Sequence, residues 1–216
     1  MKRAFLIPLA ALAGLAAAPL HAQSVVRPVP PIPPLSVPDP TTPEASAFHD
    51  SRYGVSFLAP AGWTLTRRDA EVSTFVNDAH PASSSTRMRA VATIAFNPHP
   101  TSTFSGALFY FSVTPRSNDH DCHQQASDTA AHITSTEQVG GVSFTRGYDQ
   151  RGKICTESRD EIYTALRNGT CYRFDLVINT FCGGDVSGVR EISQQELDAV
   201  RNRLESILST VHFDSK

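Results

Sequence analysis

Apolar and polar residues alternate along several stretches of this chain after residue 50, which is the pattern of β-strands that turn one face toward a core. Short strands are predicted at residues 53–60, 63–66 and 72–77. Two longer strands follow, and the apolar residues of each share one face. They are Met88, Ala90, Ala92, Ile94 and Phe96 on the first, and Ala107, Phe109, Phe111 and Val113 on the second.

Two helices are predicted from residues at helical spacing. The first covers about residues 119–133, with Ser117 or Asn118 as its N-cap. Its apolar stripe consists of Cys122, Ala126, Ala130 and Ile133. The second follows a capping box formed by Ser193 and Glu196. Its stripe consists of Leu197, Val200, Leu204, Ile207, Leu208 and Val211. A mostly antiparallel β-sheet packed by two or three helices is an α+β fold.

A β-hairpin is predicted over residues 154–181, with its turn at Asn168-Gly169. A two-residue turn there pairs residues whose numbers sum to 337, which places Cys155 opposite Cys182. The apolar residues favour a sum of 336 instead, with even-numbered positions opposite each other. They are Ile154, Ile162 and Leu166 on the first strand and Tyr172, Phe174, Leu176 and Ile178 on the second. A β-bulge between Cys155 and Ile162 would reconcile the two registers.

The N-terminal residues predict export. Lys2 and Arg3 precede the apolar run 4–20, and Ala22 supplies the small residue that signal peptidase requires. We therefore expect residues 1–22 to be a Sec signal peptide, and the mature chain to be periplasmic or secreted without a membrane span. Eight of the fifteen prolines lie between residues 27 and 43, so 23–46 is predicted to be an extended Pro-rich linker. Residues 47–216 have the length of a single α+β domain.

The overall charge is small, at −2 with a pI of about 6.4. This balance offers no electrostatic attraction to nucleic acid or to an anionic membrane surface, so neither is predicted as a partner.

Residues 53–63, Tyr-Gly-Val-Ser-Phe-Leu-Ala-Pro-Ala-Gly-Trp, resemble the opening of PsbP-like domains. The last helix and the segment Val211-His212-Phe213 also resemble the ending of that family, which includes extrinsic photosystem proteins, a Ran-binding nuclear protein and many exported bacterial proteins. The resemblance covers these two ends and the strand order. It implies a PsbP-like α/β/α sandwich and assigns no site residue.

The mature domain has four cysteines, which in an oxidising compartment predicts two disulfides. Cys171 and Cys182 lie on one strand, about 36 Å apart if it is continuous, so they cannot bond. Cys155 and Cys171 lie at opposite ends of the hairpin. The remaining pairs are Cys155–Cys182 and Cys122–Cys171. Because the chain has no Cys-x-x-Cys, structural disulfides are favoured over redox chemistry.

Charged residues on the hairpin are the main candidates for a polar ligand site. Glu157, Arg159 and Glu161 share one strand face, and Arg173, Asp175 and Asn179 are expected on the matching face of the next strand. Their alternating signs favour a solvated charge ladder over a ligand site.

Asp160 is the exception on this hairpin, because alternation places it on the apolar face. We expect the bulge to turn it outward, or Ser158 and a backbone N–H to bond it.

Three histidines are weaker candidates. His99 lies in the loop 97–104, a potential binding edge. His120 and His123 lie on one helix face and are weak metal candidates. The acidic residues around them are more typical of the first turn of a helix, so no metal or other cofactor is predicted.

The sequence contains no nucleophile motif of the common hydrolases. The leading hypothesis is a non-enzymatic exported module that binds or docks an unknown protein or small ligand. One alternative is a periplasmic hydrolase that uses the strand carboxylates Glu157, Asp160 and Glu161 as general acid and base. The other is an envelope assembly factor tethered through the Pro-rich linker.

Overall fold

A seven-stranded antiparallel sheet organises the protein in this computed structural model, which describes residues 41–68, 85–129, 134–183 and 188–215. These residues belong to one unit, Pro40–Lys216. The predicted signal peptide, most of the predicted linker and the strand predicted at 72–77 lie outside the described residues.

The described elements, in chain order, are β1 (Ser46–Asp50), β2 (Val55–Ala59), β3 (Trp63–Arg67), β4 (Arg87–Ile94), β5 (Phe104–Pro115), α1 (Asp119–Ser127), β6 (Thr134–Val139), β7 (Val142–Lys153), β8 (Thr156–Arg167), β9 (Thr170–Phe181), α2 (Gln194–Leu208) and β10 (His212–Phe213). The large sheet has the order β3-β4-β5-β9-β8-β7-β6, and a small sheet has the order β1-β2-β10.

Both faces of the large sheet are covered. The small sheet and α2 lie on one face, where Phe57 contacts Phe109 with ring centroids 5.2 Å apart, and Phe109 contacts Phe174 at 5.8 Å. Helix α1 lies on the other face, where Cys122 is bonded to Cys171 of β9. We call these the α2 face and the α1 face. The predicted mostly antiparallel α+β sandwich is confirmed.

The β8–β9 hairpin has the two-residue turn that its Asn-Gly sequence predicts. Asn168 and Gly169 both have positive φ, 49° and 69°, as the hairpin turn requires. The pairing runs unbroken from Arg167 opposite Thr170 to Thr156 opposite Phe181, so every pair sums to 337. The predicted register is confirmed, and the predicted bulge in β8 is wrong.

The unbroken register places odd-numbered residues of β8 beside even-numbered residues of β9. Tyr163 pairs with Phe174 on the α2 face, whereas Ile162 pairs with Asp175 on the α1 face. The apolar residues of β8 therefore serve two cores, because both sheet faces are covered. The alternative register, with even-numbered residues opposite each other, assumed that the hairpin buries only one face. It is wrong because both faces are buried.

Strand β4 does contain a bulge, between Met88 and Ala90. Ala90 and Ala92 lie on the α2 face as predicted. Met88 lies on the α1 face with Tyr110 and Val177. The prediction that Met88 shares a face with Ala90 and Ala92 is therefore wrong. The extra residue, Arg89, is buried and its Nε lies 2.6 Å from Asp50 Oδ2.

The helices begin where the sequence predicts. Asn118 caps α1 by accepting a hydrogen bond from the Asp121 backbone N–H, and α2 has the complete capping box of Ser193 and Glu196. Helix α1 ends at Ser127, earlier than predicted. Among the described residues, neither helix combines the length and apolar character needed to cross a membrane.

Candidate ligand-binding groove

Helix α2 packs over β9, β5 and β2, and leaves part of the α2 face of β7 and β8 uncovered. Three adjoining pockets of about 310, 430 and 320 Å³ lie in the gap. The first shares Arg159 and Leu197 with the second, and Tyr148, Glu161 and Arg201 with the third. We call this continuous surface the α2 groove.

The floor of the groove is apolar. It is formed by Leu176 and Ile178 of β9 together with Leu197 and Leu204 of α2. All four side chains are buried, because they also belong to the main core. The groove is thus a place where the hydrophobic core comes close to the surface, and an apolar group of a ligand could contact it there.

Glu161 joins the two walls of the groove. Its Oε2 accepts hydrogen bonds from Arg146 Nη2 at 2.8 Å and from the Tyr163 hydroxyl at 3.2 Å. Its Oε1 lies 2.6 Å from Arg201 Nε on α2. Burial lowers the pKa of Arg146, but the charge and hydrogen bond of Glu161, together with Tyr163 and Glu137, outweigh that effect and the pKa is raised. Burial, followed by the Glu161 charge, raises the pKa of Tyr163.

A second ion pair lies further along β8. Arg159 Nη2 is 2.6 Å from Glu157 Oε2, and its Nη1 is 3.4 Å from Thr180 Oγ1. Gln150 of β7 donates to the other Glu157 oxygen and accepts a hydrogen bond from the Tyr148 hydroxyl at 3.0 Å. Burial raises the pKa of Tyr148. The polar wall of the groove therefore contains two hydrogen-bonded networks, and in each of them an arginine holds a glutamate.

The groove does not bring together the three carboxylates of the hydrolase hypothesis. Glu157 and Glu161 line it, but in different pockets, and four residues along a strand separate their Cα atoms by about 13 Å. Asp160 lies on the opposite face of the sheet, so it cannot act with them.

Asp160 belongs to a buried charged cluster on the α1 face. Asp149, Asp160, Arg173 and Asp175 are each at most 1 % exposed. Arg173 Nε and Nη2 donate to Asp175 Oδ1 at 2.8 and 2.5 Å, while Asp160 Oδ2 is 3.9 Å from Arg173 Nη2. The prediction that Arg173 and Asp175 share a solvated face with Glu157, Arg159 and Glu161 is therefore wrong.

The environment of Asp160 differs from both predicted alternatives. It is not turned outward, and Ser158 Oγ donates to Asn179 Oδ1 at 2.7 Å instead. Neither Asp160 oxygen accepts a hydrogen bond from the described residues. Burial raises the pKa of Asp160 well above its usual value, the Asp175 charge raises it further, and Arg173 opposes both. If the Asp160 carboxyl group is protonated, its O–H can donate a hydrogen bond to the Asp175 carboxylate.

The three candidate histidines lie outside the groove pockets. His99 Nδ1 is 3.2 Å from Glu196 Oε1 at the start of α2, where Glu196 also binds Arg190. His120 and His123 are exposed on α1, and His123 Nδ1 lies 3.1 Å from Ser127 Oγ. Within the described ranges, no group of three His, Cys, Asp or Glu residues is placed to hold a metal ion.

The predicted disulfide between Cys122 and Cys171 is confirmed, with a Cα–Cα distance of 5.4 Å. It ties α1 to β9 and is typical of a protein from an oxidising, extracytoplasmic compartment. Cys155 and Cys182 are exposed, and no disulfide joins them in this structure. Their backbones are paired, since the Cys182 N–H donates to the Cys155 carbonyl at 3.3 Å. The bond between them stays a prediction.

Several residues of the groove are not predicted from the sequence. Arg146 and Tyr148 follow Val142 and Phe144 at alternate positions of β7, and their polar character at the end of this apolar series is the signal that could have identified them. Arg201 of α2 had no such signal, because its role depends on where the helix crosses the sheet.

No protein-family model and no curated protein matches the sequence. Similar solved structures include the cyanobacterial PsbP (CyanoP) of Synechocystis sp. PCC 6803, with a TM-score of 0.45 and 13 % identity over 83 % of this chain and 98 % of that one. A Bacteroides thetaiotaomicron protein has a TM-score of 0.41 and 11 % identity, over 79 % and 48 % of the two chains.

LpqN, involved in cell envelope biogenesis of Mycobacterium tuberculosis, has a TM-score of 0.41 and 10 % identity, over 80 % and 91 % of the two chains. These similarities concern the fold alone. One of these similar structures is a PsbP. The two ends of the sequence resemble PsbP-like domains.

Proposed function

We propose that this protein is an exported, non-catalytic binding module that holds its ligand in the α2 groove. The observation that carries the proposal is the groove itself, in which an apolar floor is flanked by fixed charges. Binding sites combine apolar contact area with a few oriented polar groups in this way. Export rests on the predicted signal peptide 1–22 and linker 23–46, and the Cys122–Cys171 disulfide supports it.

The groove favours a short peptide segment as ligand. Arg146, Arg159 and Arg201 contribute positive charge, while Glu157, Glu161, Glu191 and Asp198 contribute negative charge, so neither sign strongly dominates. A purely anionic or cationic ligand would meet repulsion from about half of these groups. An extended peptide offers apolar side chains, backbone donors and acceptors and charges of both signs along its length.

The network of ion pairs supports binding over catalysis. Glu157 is held by Arg159 and Glu161 by Arg146, so each of these two carboxylates is already engaged in an ion pair. The same network fixes the side chains before a ligand arrives, which reduces the entropy lost on binding.

The test is a peptide-binding measurement with a variant that fills the groove. Peptides are selected from a displayed random dodecamer library on the wild-type protein, and their affinities are measured by calorimetry. Gln194 is exposed at the start of α2 and lines the groove, so Gln194→Trp should weaken binding at least tenfold. Gln195 is exposed, and Gln195→Trp is the matched control that should leave the affinity unchanged.

Equal affinities for the two variants would place the peptide elsewhere and contradict the proposed groove. Cleavage of the selected peptides by the wild-type protein, detected by mass spectrometry, would contradict the non-catalytic role.

A further inference from the structure

We propose that Cys155 and Cys182 form a second disulfide, which fastens the β7–β8 turn to the end of β9 beside the α2 groove. This inference concerns a modification site and does not rest on the proposed function. It stands on the position of the two residues in the sheet, on their exposure and on the disulfide chemistry that the chain already uses.

The sheet register brings the two cysteines opposite each other. The last pair of the β8–β9 ladder is Thr156 with Phe181, and the next pair outward is Cys155 with Cys182. The hydrogen bond from the Cys182 N–H to the Cys155 carbonyl, at 3.3 Å, shows that the backbones still pair there. Hydrogen-bonded antiparallel partners have Cα atoms about 5.5 Å apart, within the range of about 4.4 to 6.8 Å found for disulfides.

Both residues are open to a reaction partner. They are exposed, and Cys155 lies in a turn with φ of 58°, outside the regular strand. By contrast, Cys122 and Cys171 are at most 1 % exposed. A disulfide donor can reach the outer pair in the folded protein, and the inner pair is protected once it has formed.

The chemistry is thiol–disulfide exchange with a protein or small-molecule disulfide as the oxidant. The thiolate of one cysteine attacks the donor disulfide, a mixed disulfide forms, and one donor sulfur leaves as thiolate. The second cysteine then attacks the sulfur of the first and releases the other donor sulfur. The two cysteines lose two protons and two electrons, and the donor disulfide is reduced to two thiols.

The bond would define one end of the groove. Cys182 and Gly183 line the 430 Å³ pocket, together with Gly152 and Thr156 next to the β7–β8 turn. A covalent link across this end removes the freedom of the two segments to separate. The groove would then present one fixed end wall.

The experiment is disulfide mapping of the full chain isolated from an oxidising compartment, after exposure to oxidised glutathione. Trypsin separates all four cysteines, because cleavage after Lys and Arg gives the peptides 117–146, 154–159, 168–173 and 174–190. We expect two cross-linked products, 154–159 with 174–190 and 117–146 with 168–173. The intact mass should be about 4 Da below that of the fully reduced chain.

Stepwise reduction provides a second measurement. With increasing dithiothreitol, the exposed Cys155–Cys182 bond should open before the buried Cys122–Cys171 bond. In the Cys122→Ser variant, the link between 154–159 and 174–190 should persist. These readouts use no ligand, so they are independent of the peptide-binding test.

Alkylation of both Cys155 and Cys182 without prior reduction, with a mass only about 2 Da below the reduced chain, would overturn the proposal. So would linkage of either residue to Cys122, Cys171 or a second chain.

Discussion

Arg173 and Asp175 form an ion pair that is closed to solvent. The guanidinium donates twice to one carboxylate oxygen, and both side chains are at most 1 % exposed. Such a pair adds little stability compared with apolar residues of similar volume, but removal of one partner leaves a buried charge without compensation. Asp160 has a weaker interaction with this arginine, because its Oδ2 lies 3.9 Å from Arg173 Nη2, beyond hydrogen-bond distance.

Asp175→Asn and Asp160→Asn should therefore have opposite effects. Asp175→Asn leaves Arg173 without its main partner and should lower the free energy of unfolding by about 3–5 kcal/mol. Asp160→Asn removes an acid whose charged form is disfavoured by burial, and should be at least as stable as wild type at pH 7. Urea unfolding of the two variants measures both effects, and a large loss in Asp160→Asn would contradict this account.

The same comparison should depend on pH. The pKa of Asp160 is higher in the folded protein than its unfolded value of about 3.9. Its contribution to stability is therefore fully present below that value and is lost as the pH rises through the folded pKa. The advantage of Asp160→Asn over wild type should shrink on acidification toward pH 4. A constant difference between pH 4 and pH 8 would show that Asp160 does not titrate in this way.

The alternation of the sequence identified Asp160 as an unusual residue but did not reveal which side chains surround it in the fold. Alternation placed Asp160 on the face of Ile162, and the structure buries it there. The partners of Asp160 come from β7 and β9, and one strand's alternation cannot reveal that the opposite face of the sheet is also covered.

Helix α1 lies unusually close to the sheet at Gly147. A Cβ atom built on Gly147 would lie 1.7 Å from the Ala126 carbonyl oxygen, so only glycine allows this approach. The Cys122–Cys171 bond holds the same helix to β9. Together these two contacts set the distance between α1 and the sheet.

Gly147→Ala should lower the free energy of unfolding by about 1–3 kcal/mol, because the added Cβ clashes with the backbone of α1 and the helix must move. Gly106 of β5 is the matched control, since a Cβ there would meet no atom within 4 Å. Gly106→Ala should show no loss. Urea unfolding of both variants is the measurement, and equal effects would mean that α1 can shift at little cost.

The elements differ in how well the sequence predicted them. Helix α2 and the β8–β9 hairpin carry local signals, a capping box and an Asn-Gly turn, which fix their position before any tertiary contact forms. Strand β6 was missed, because all of its residues except Val139 are exposed and none shows apolar alternation. The bulge in β4 depends on Arg89 reaching Asp50 of β1, a contact distant in sequence.

The groove exists because the large sheet is wider than the layer that covers its α2 face. Glu157, Arg159 and Glu161 were selected from the sequence and all three line the groove. The opposite wall, on α2, could not be predicted, because no local pattern specifies which strands a helix crosses. Glu161 is the residue on which the two walls converge, through Arg146 and Arg201.

Glu161→Ala should thus loosen α2 from the β7–β8 wall and lower the free energy of unfolding by about 2 kcal/mol, the loss typical of hydrogen bonds to a charged group. Glu157 lies on the same strand face and is more exposed, so Glu157→Ala should cost less than about 1 kcal/mol. The free energies of unfolding of the two variants are measured by chemical denaturation and compared. The reverse ranking would show that Glu161 does not join the walls.

The central pair of strands, β5 and β9, has a consequence for the order of folding. Strands β6 to β9 form a meander joined by two-residue turns, so they can pair soon after the chain is released. Pairing of β5 with β9 brings together residues as far apart in sequence as Phe104 and Thr180, and must await a slower loop closure. Pulsed hydrogen exchange should therefore protect the Thr156–Phe181 hairpin before β5. The last event of folding would be the pairing of the completed β6–β9 meander with β5. Until then, an exported chain would leave the β9 edge of the meander unpaired and exposed to solvent.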